Sequence, residues 1–327
     1  MEYTSLGSSG LKVSRIALGC LSFSATQRDH GWTLDETAAE PLFRQAVDLG
    51  ITLWDTANVY GQGSSEEIVG RAIARYSSRE QVVLATKIFW AMHDGPGGYG
   101  LSRKAIIEQV DGCLTRLNTD YIDLLQIHRF DRNVRVEETM EALHDLVKSG
   151  KVRYLGASSM WAWQFAKMQS SAAAHGWTKF VSMQNQYSVT HREEEREMLG
   201  LLADQEVGSI PWRALNGGIN ARPWGQGSSA RAESAPKTDV FGNPLWLESD
   251  RAIVDALEKI ALDRAVPMGQ VALAWVLKHP VVSSLLIGPT KPQHLADAVA
   301  ALELELSSDE IHALETPYVV RKPTYFE

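Results

Sequence analysis

Cysteine is scarce in this chain: Cys20 and Cys113 are the only two in 327 residues, far apart and in apolar surroundings. That excludes a disulfide scaffold and any CxxC redox or zinc site, and both are expected to be reduced core thiols of a cytosolic protein. None of the nine histidines falls into HExxH or another paired-ligand spacing, so no metal is expected. No apolar run approaches the roughly 18 residues of a membrane span. The start, Met1-Glu2-Tyr3-Thr4, lacks the basic and apolar regions of a signal peptide, which points to a cytoplasmic location and no membrane partner. Positive charge is also in deficit: a net charge of -8, with no basic patch studded with aromatics, argues against nucleic acid. Finally, the first strand-like run ends in Ala17-Leu18-Gly19-Cys20-Leu21, with one glycine where an open dinucleotide-binding fold would carry GxGxxG.

What the chain does have is a regular alternation. After an expected amino-terminal hairpin turning at Gly7-Ser8-Ser9-Gly10, strand-like runs begin near Ile16, Thr52, Val82, Ile122, Val152, Val181, Ser209 and Ser283. Amphipathic stretches lie between and after them, at 36–49, 65–76, 103–117, 136–148, 162–174, 193–205, 247–262, 269–278 and 292–301, one helix more than eight crossovers require. Such a pattern has two parallel solutions, a closed barrel or an open doubly wound sheet. The missing glycine fingerprint favours closure. So do the polar residues at strand ends along the whole chain, as expected when every strand end faces one mouth. The expected fold is therefore an α/β (β/α)8 TIM barrel, a single domain over 1–327, with an amino-terminal hairpin, a long loop after strand 7 (213–246) and an extra helix.

Three apolar runs, 51–54, 81–86 and 122–127, read as buried parallel strands, and they deliver Asp55, Lys87 and His128 to their carboxyl ends. Tyr60 lies in the loop after Asp55. Together these types suit protonation of a carbonyl oxygen while a hydride arrives at carbon. A free phenol, with a pKa of about 10, is a weak acid near neutrality, and an adjacent ammonium such as Lys87 is expected to lower that value. Asp55 would hold the lysine's charge and direction, and His128 would donate to the same oxygen. Singly, each has a bland alternative: a loop cap, a solvated strand end, a packed ring, a satisfied core histidine. A glycosidase would need two acids at strand ends, and only Asp55 is so placed.

At this point the chain resembles the aldo-keto reductase superfamily along nearly its whole length. The motifs that carry the resemblance are Trp54-Asp55-Thr56-Ala57 with Tyr60-Gly61 and Ser65-Glu66, Ala85-Thr86-Lys87, and Tyr121-Ile122-Asp123-Leu124 with Gln126-Ile127-His128. Gly156-Ala157-Ser158, Gln184-Asn185 and Ile210-Pro211-Trp212 continue the series. Lys87-Ile88-Phe89-Trp90 is similar to the branch that holds fungal aryl-alcohol dehydrogenase-like reductases and potassium-channel β-subunits. The resemblance implies a catalytic tetrad of Asp55, Tyr60, Lys87 and His128, with Tyr60 as proton donor, and NADPH/NADP+ bound extended across the mouth.

The cofactor residues it implies begin with Cys20, Leu21, Asp55 and Ser159, the last standing where channel-subunit-like relatives often carry an arginine, with Ser158, Gln184 and Asn185 around the nicotinamide. Trp212, Arg213, Ala214, Leu215 and Asn216 stand where relatives carry a Trp-Ser-Pro-Leu-Ala pyrophosphate strap, so that Arg213 replaces a serine. Gly288, Thr290, Lys291, His294 and Asp297 resemble the adenosine phosphate site, a glycine turn feeding a helix start, with Lys291 suited to a 2′-phosphate. Leu21, Phe89, Trp90, Arg129, Phe130 and Trp224 are the candidate lining of an aromatic substrate pocket for a small-molecule carbonyl compound. A second copy of the chain is a candidate partner, and a cofactor-binding redox-sensing or regulatory subunit is the alternative function.

Overall fold

The computed structural model describes residues 1–25, 32–95, 97–226, 237–239 and 241–325. Of the expected long loop at 213–246, positions 227–236 and 240 lie outside them. Strands β1 (Tyr3–Ser5) and β2 (Lys12–Ser14) form the antiparallel hairpin. Eight parallel strands follow: β3 (Ile16–Gly19), β4 (Leu53–Asp55), β5 (Val83–Ile88), β6 (Ile122–Ile127), β7 (Val152–Ser158), β8 (Phe180–Gln184), β9 (Gly208–Ser209) and β10 (Leu285–Ile287). They pair in the order β10-β3-β4-β5-β6-β7-β8-β9. Between β9 and β10, Ser209 N–H donates to Val281 O at 2.9 Å, Ser283 N–H to Ser209 O at 2.9 Å and Leu286 N–H to Pro211 O at 3.0 Å, which closes the circle. The result is the (β/α)8 barrel expected from the alternation.

The helices are α1 (Glu36–Asp48), α2 (Ser64–Tyr76), α3 (Arg103–Leu117), α4 (Val136–Lys148), α5 (Ala162–His175), α6 (Met198–Asp204), α7 (Arg251–Arg264), α8 (Met268–Leu277), α9 (Pro292–Ala300) and α10 (Ser308–Glu315). The expected helix at 193–205 is shorter, because Glu193–Glu195 form a 3-10 turn that is followed by a non-helical Glu197. The sequence pattern passed over α10, whose eight residues follow Ser307, a cap whose hydroxyl accepts from Glu310 N–H. No single helix among the described residues is long and apolar enough to cross a membrane.

Residues two apart on a strand face the same side, and that rule sorts the interior. Leu53, Ala85, Leu124 and Ile210 join Ala17 in an inner cluster that Leu6 and Val13 of the hairpin complete. The hairpin turn lies against the start of β9, where a Cβ on Gly7 (φ +58) would come within 2.5 Å of Glu206 O. The intervening side chains, Trp54, Leu84, Leu125 and Ile127, belong to the larger cluster packed against the helices. Continuing the inward row by two residues turns Leu53 into Asp55, Ala85 into Lys87 and Leu124 into Gln126 and then His128. The interior therefore changes from apolar to charged toward the carboxyl end.

Candidate active site

Lys87 is fully buried, and its ammonium has three acceptors in reach: Asp55 Oδ2 at 2.5 Å, Thr56 O at 2.8 Å and Tyr60 Oη at 3.4 Å. The other Asp55 oxygen, Oδ1, accepts from Gln126 Nε2 at 2.8 Å and from Gln184 Nε2 at 2.9 Å. Gln184 also donates to Gln126 Oε1 at 3.2 Å. Asp55, Gln126 and Gln184 come from alternate strands β4, β6 and β8, as in one layer of a barrel interior. A buried carboxylate needs partners on both oxygens, and here a cation holds one and two amides the other.

Tyr60 reaches Lys87 because the chain turns sharply after it, through left-handed Gly61 (φ 55), Gln62 (φ 53) and Gly63 (φ 96), into α2. A Cβ on Gly61 would lie 2.3 Å from Ser24 Oγ and 2.4 Å from Ser64 Oγ, so this position admits glycine alone. Ser65 and Glu66 are also explained by packing. Ser65 Oγ bonds Cys20 O at 2.8 Å, and Glu66 accepts from Thr86 Oγ1 at 2.6 Å and Arg116 Nε at 2.7 Å.

Protonation states follow from burial and neighbours. Burial pulls the Lys87 ammonium down, but Asp55 and Tyr60 outweigh it, so its pKa stands above the ordinary lysine value. Burial pushes the Tyr60 phenol up, and Lys87 lowers it by less, with the Asp55 charge adding to the rise. The expected lowering by Lys87 is thus overridden by desolvation, and Tyr60 stays a protonated phenol. Burial, then the charges of Arg129 and Lys87, holds His128 well below the usual imidazole range. A protonated amine, a protonated phenol and a neutral imidazole share one mouth. Cys20 is a buried thiol pushed up by burial and by the Asp55 charge, and therefore no nucleophile at neutral pH.

An aromatic wall stands beside these groups. The His128 ring lies 5.9 Å from Tyr60 and 6.3 Å from Trp90, and Phe89 lies 5.1 Å from Trp90 and 4.7 Å from Tyr99. Phe89 is held at φ 155, with its N–H on Gln109 Oε1 at 2.9 Å. Gln126, Gln109 and Tyr99 are contributors that the sequence reading passed over. For Gln126 the signal was available, since it lies two positions before His128 on the same strand face. Phe130 instead packs on Trp163 and lines, with Arg135 and Lys167, a surface groove of about 600 Å³ that none of the tetrad side chains borders. Trp224 meets Trp246 at 6.0 Å, and no ring contact joins it to the wall among the described residues. Leu21 sits half-buried in the 3-10 turn Cys20–Ser22.

The expected cofactor residues divide into committed and uncommitted groups. Ser158 Oγ donates to Gln184 O at 2.8 Å, and Ser159 is left-handed at φ 43. Asn185 is pinned by Ser209 Oγ on its Oδ1 at 2.9 Å, and among the described residues neither its buried Nδ2 nor the buried Nδ1 of His128 has a partner. Two unmatched buried nitrogens at the ends of β8 and β6 fit the polar face of a nicotinamide carboxamide and a carbonyl oxygen. Trp212 continues the β8 to β9 ladder by a bridge to Gln186, and Ala214 is buried while Leu215 is half-buried in the core. Arg213 (φ 62) donates from Nη1 to Tyr325 Oη at 2.7 Å and from Nε to Asn216 Oδ1 at 3.0 Å. At the last strand, Lys291 precedes α9 and is exposed, and Thr290 N–H bonds His294 Nδ1 at 3.2 Å close to Gly288. Asp297 Oδ1 accepts from Gln270 at 2.9 Å and Gln293 at 2.8 Å. Among the described residues no three His, Cys, Asp or Glu side chains form a group able to hold a metal.

The sequence model of the Aldo/keto reductase family matches residues 15–318. The chain belongs to this family. It is similar to versiconal hemiacetal acetate reductase of Aspergillus parasiticus, 43% identical over 337 aligned positions that cover 98% of this chain and 97% of the relative. Aldo-keto reductase AMT2 of Alternaria alternata is 44% identical, with 98% of this chain and 92% of the relative covered. An aryl-alcohol dehydrogenase-like protein of Schizosaccharomyces pombe is 40% identical over 97% of this chain and 95% of its own. Family members generally use NAD(P)H, and with relatives named as reductases this aldo/keto reductase family member is an oxidoreductase of carbonyl groups.

Proposed function

We propose that the chain is an NADPH-dependent reductase that converts an aldehyde or ketone, aromatic substrates included, to the alcohol, with Tyr60 as proton donor. The observation that carries this reading is the Tyr60 phenol 3.4 Å from a Lys87 ammonium that is itself locked on Asp55 at 2.5 Å. When bound, the reduced nicotinamide supplies the hydride. Tyr60 keeps its proton until negative charge develops on the carbonyl oxygen, and Lys87 stabilises the phenolate left behind. His128, neutral, donates to the same oxygen and orients it. Ser158 and Asn185, with Gln184 behind them, would hold the nicotinamide end. Arg213 and Asn216 would hold the pyrophosphate, and Lys291 the 2′-phosphate that distinguishes NADPH from NADH. The two buried, unbridged cysteines are compatible with a cytoplasmic location. The family match and the hairpin packed on the barrel floor support one domain over 1–327.

Tyr60→Phe is the direct test: turnover of a carbonyl panel should fall at least ~100-fold, the scale of a lost general acid, while NADPH binding followed by tryptophan fluorescence is retained. Full activity would remove the assigned acid. The Arg213–Tyr325 contact at 2.7 Å favours a second reading, a regulatory subunit that releases its cofactor slowly. Rapid multiple turnover counts against that reading.

A further inference from the structure

Arg129 follows His128 at the mouth, and the residue as a whole is half-buried. Nη1 donates to the carbonyl of His128, and the cation lies 5.7 Å from the centre of the Trp90 ring. No carboxylate among the described residues comes within ion-pair distance of it. Four other guanidinium groups below the surface are paired with carboxylates, Arg79 with Asp123 at 2.7 Å, Arg116 with Glu66 at 2.7 Å, Arg192 with Glu195 at 2.7 Å and Arg321 with Asp250, while Arg213 has a phenol and an amide oxygen and Arg15 has backbone carbonyls as acceptors. A guanidinium has five N–H donors, and one carbonyl oxygen leaves most of them unmatched. Burial without a counter-ion pushes the Arg129 pKa down to about 10.

Location decides what kind of anion is wanted. Trp90 carries both Arg129 and, at 6.3 Å, the His128 ring, which in turn lies 5.9 Å from Tyr60. The cation is therefore on the wall that faces the reacting carbonyl. It stands at the end of β6, whereas Lys291 follows β10, which is the strand farthest from β6 in the closed order. Arg129 also feels the Tyr325 hydroxyl that Arg213 holds at 2.7 Å, so the cofactor pyrophosphate is the competing anion, and the test below separates it by NADPH affinity.

We propose that Arg129 selects substrates that carry a carboxylate in addition to the reacting carbonyl, with their planar part against Trp90: formyl aromatic acids and small oxo-acids. This rests on the reductase reading above. The flat fork of arginine meets a carboxylate with two parallel hydrogen bonds, which a lysine cannot copy.

The test uses the full chain with NADPH and two aldehydes that share a ring and differ at the acid group, 4-formylbenzoate and its uncharged methyl ester. Wild type should prefer the acid by about tenfold or more in kcat/KM, the scale of a hydrogen bond to a charged group, with the difference in KM. Arg129→Met should reduce that preference to near unity, and Arg129→Lys should keep part of it. Equal efficiency for both aldehydes in wild type, or a preference that survives Arg129→Met, overturns the proposal. Binding of terephthalate, which cannot be reduced, supplies a readout independent of turnover and should weaken about tenfold or more in Arg129→Met. An equal loss of NADPH affinity in that variant would assign the guanidinium to a cofactor phosphate and also overturn the proposal. Should wild type reduce neither aldehyde while terephthalate binding still depends on Arg129, the anion site stands and the reductase reading falls.

Discussion

Replacing Lys87 by methionine removes the cation on which the site is built. Among the described residues Asp55 then keeps the amide donors of Gln126 and Gln184 on Oδ1, at 2.8 and 2.9 Å, and its Oδ2 is left without the ammonium and with no other cation in contact. Breaking a buried pair by removing one partner costs about 3–5 kcal/mol. Removing both charges, in Asp55→Asn with Lys87→Met, spares much of that, because an asparagine oxygen still accepts from both glutamines. The double variant should therefore be more stable than the sum of the single losses by about 2–3 kcal/mol. Urea unfolding of wild type, both single variants and the double variant measures this, provided the denaturant slopes agree. Turnover should fall by about 100-fold or more in Lys87→Met, because the phenolate formed at Tyr60 loses its counter-charge. Losses that add to within about 0.5 kcal/mol would mean that the two charges are not energetically paired, and the site as described would not stand.

Proton inventory gives a second expectation. With Tyr60 raised by burial and His128 held well below the imidazole range, kcat/KM for reduction should be flat from about pH 6 to 9. A step near pH 6.5 would contradict the neutral histidine. Glu194 is buried beside Glu193, and burial, then that neighbour's charge, raises its carboxyl from 4.5 to about 8. The unfolded chain releases this proton near 4.5 while the folded chain holds it to about 8, so stability from this group is complete below 4.5 and is lost as pH rises to 8. Glu194→Gln should raise stability by about 2–4 kcal/mol at pH 8 and leave it unchanged at pH 4; an equal effect at both values would exclude the buried acid as the cause. In Gly156→Ala, a Cβ would meet Ser182 Oγ at 2.5 Å and Gln126 Cγ at 2.9 Å, pushing Gln126 off Asp55. Stability should drop by about 1–3 kcal/mol, the range for overpacking, together with a measurable loss of kcat; wild-type values for both would show that the strand gives way without moving Gln126.

The barrel was legible because each strand reads as an apolar run with a polar terminus. The order of those runs brought Asp55, Tyr60, Lys87 and His128 together, as their hydrogen bonds and ring contacts show. What stayed hidden has a common physical origin in contacts between residues far apart in the chain. Gln126 looks like strand filler until β4 and β8 bring Asp55 and Gln184 to it. Gln109 sits on a helix with no local feature to mark it, yet its amide oxygen accepts from both Asn58 and Phe89. Tyr325 is joined to Arg213 across 112 positions of sequence, a pairing that no periodicity announces. Sequence reasoning also assigned Lys87 the larger say over Tyr60, because an adjacent charge can be read from a motif whereas the depth of burial cannot.

The hairpin has a kinetic consequence. With Leu6 and Val13 stoppering the floor, the described residues close the barrel beneath the Asp55–Lys87 pair, and a ligand that reaches the pair comes and goes by the opposite rim. Two visitors that share one doorway queue: the one seated deeper enters first and leaves last. On the reductase reading proposed above, departure past the rim would then weigh on turnover alongside the reacting groups beneath.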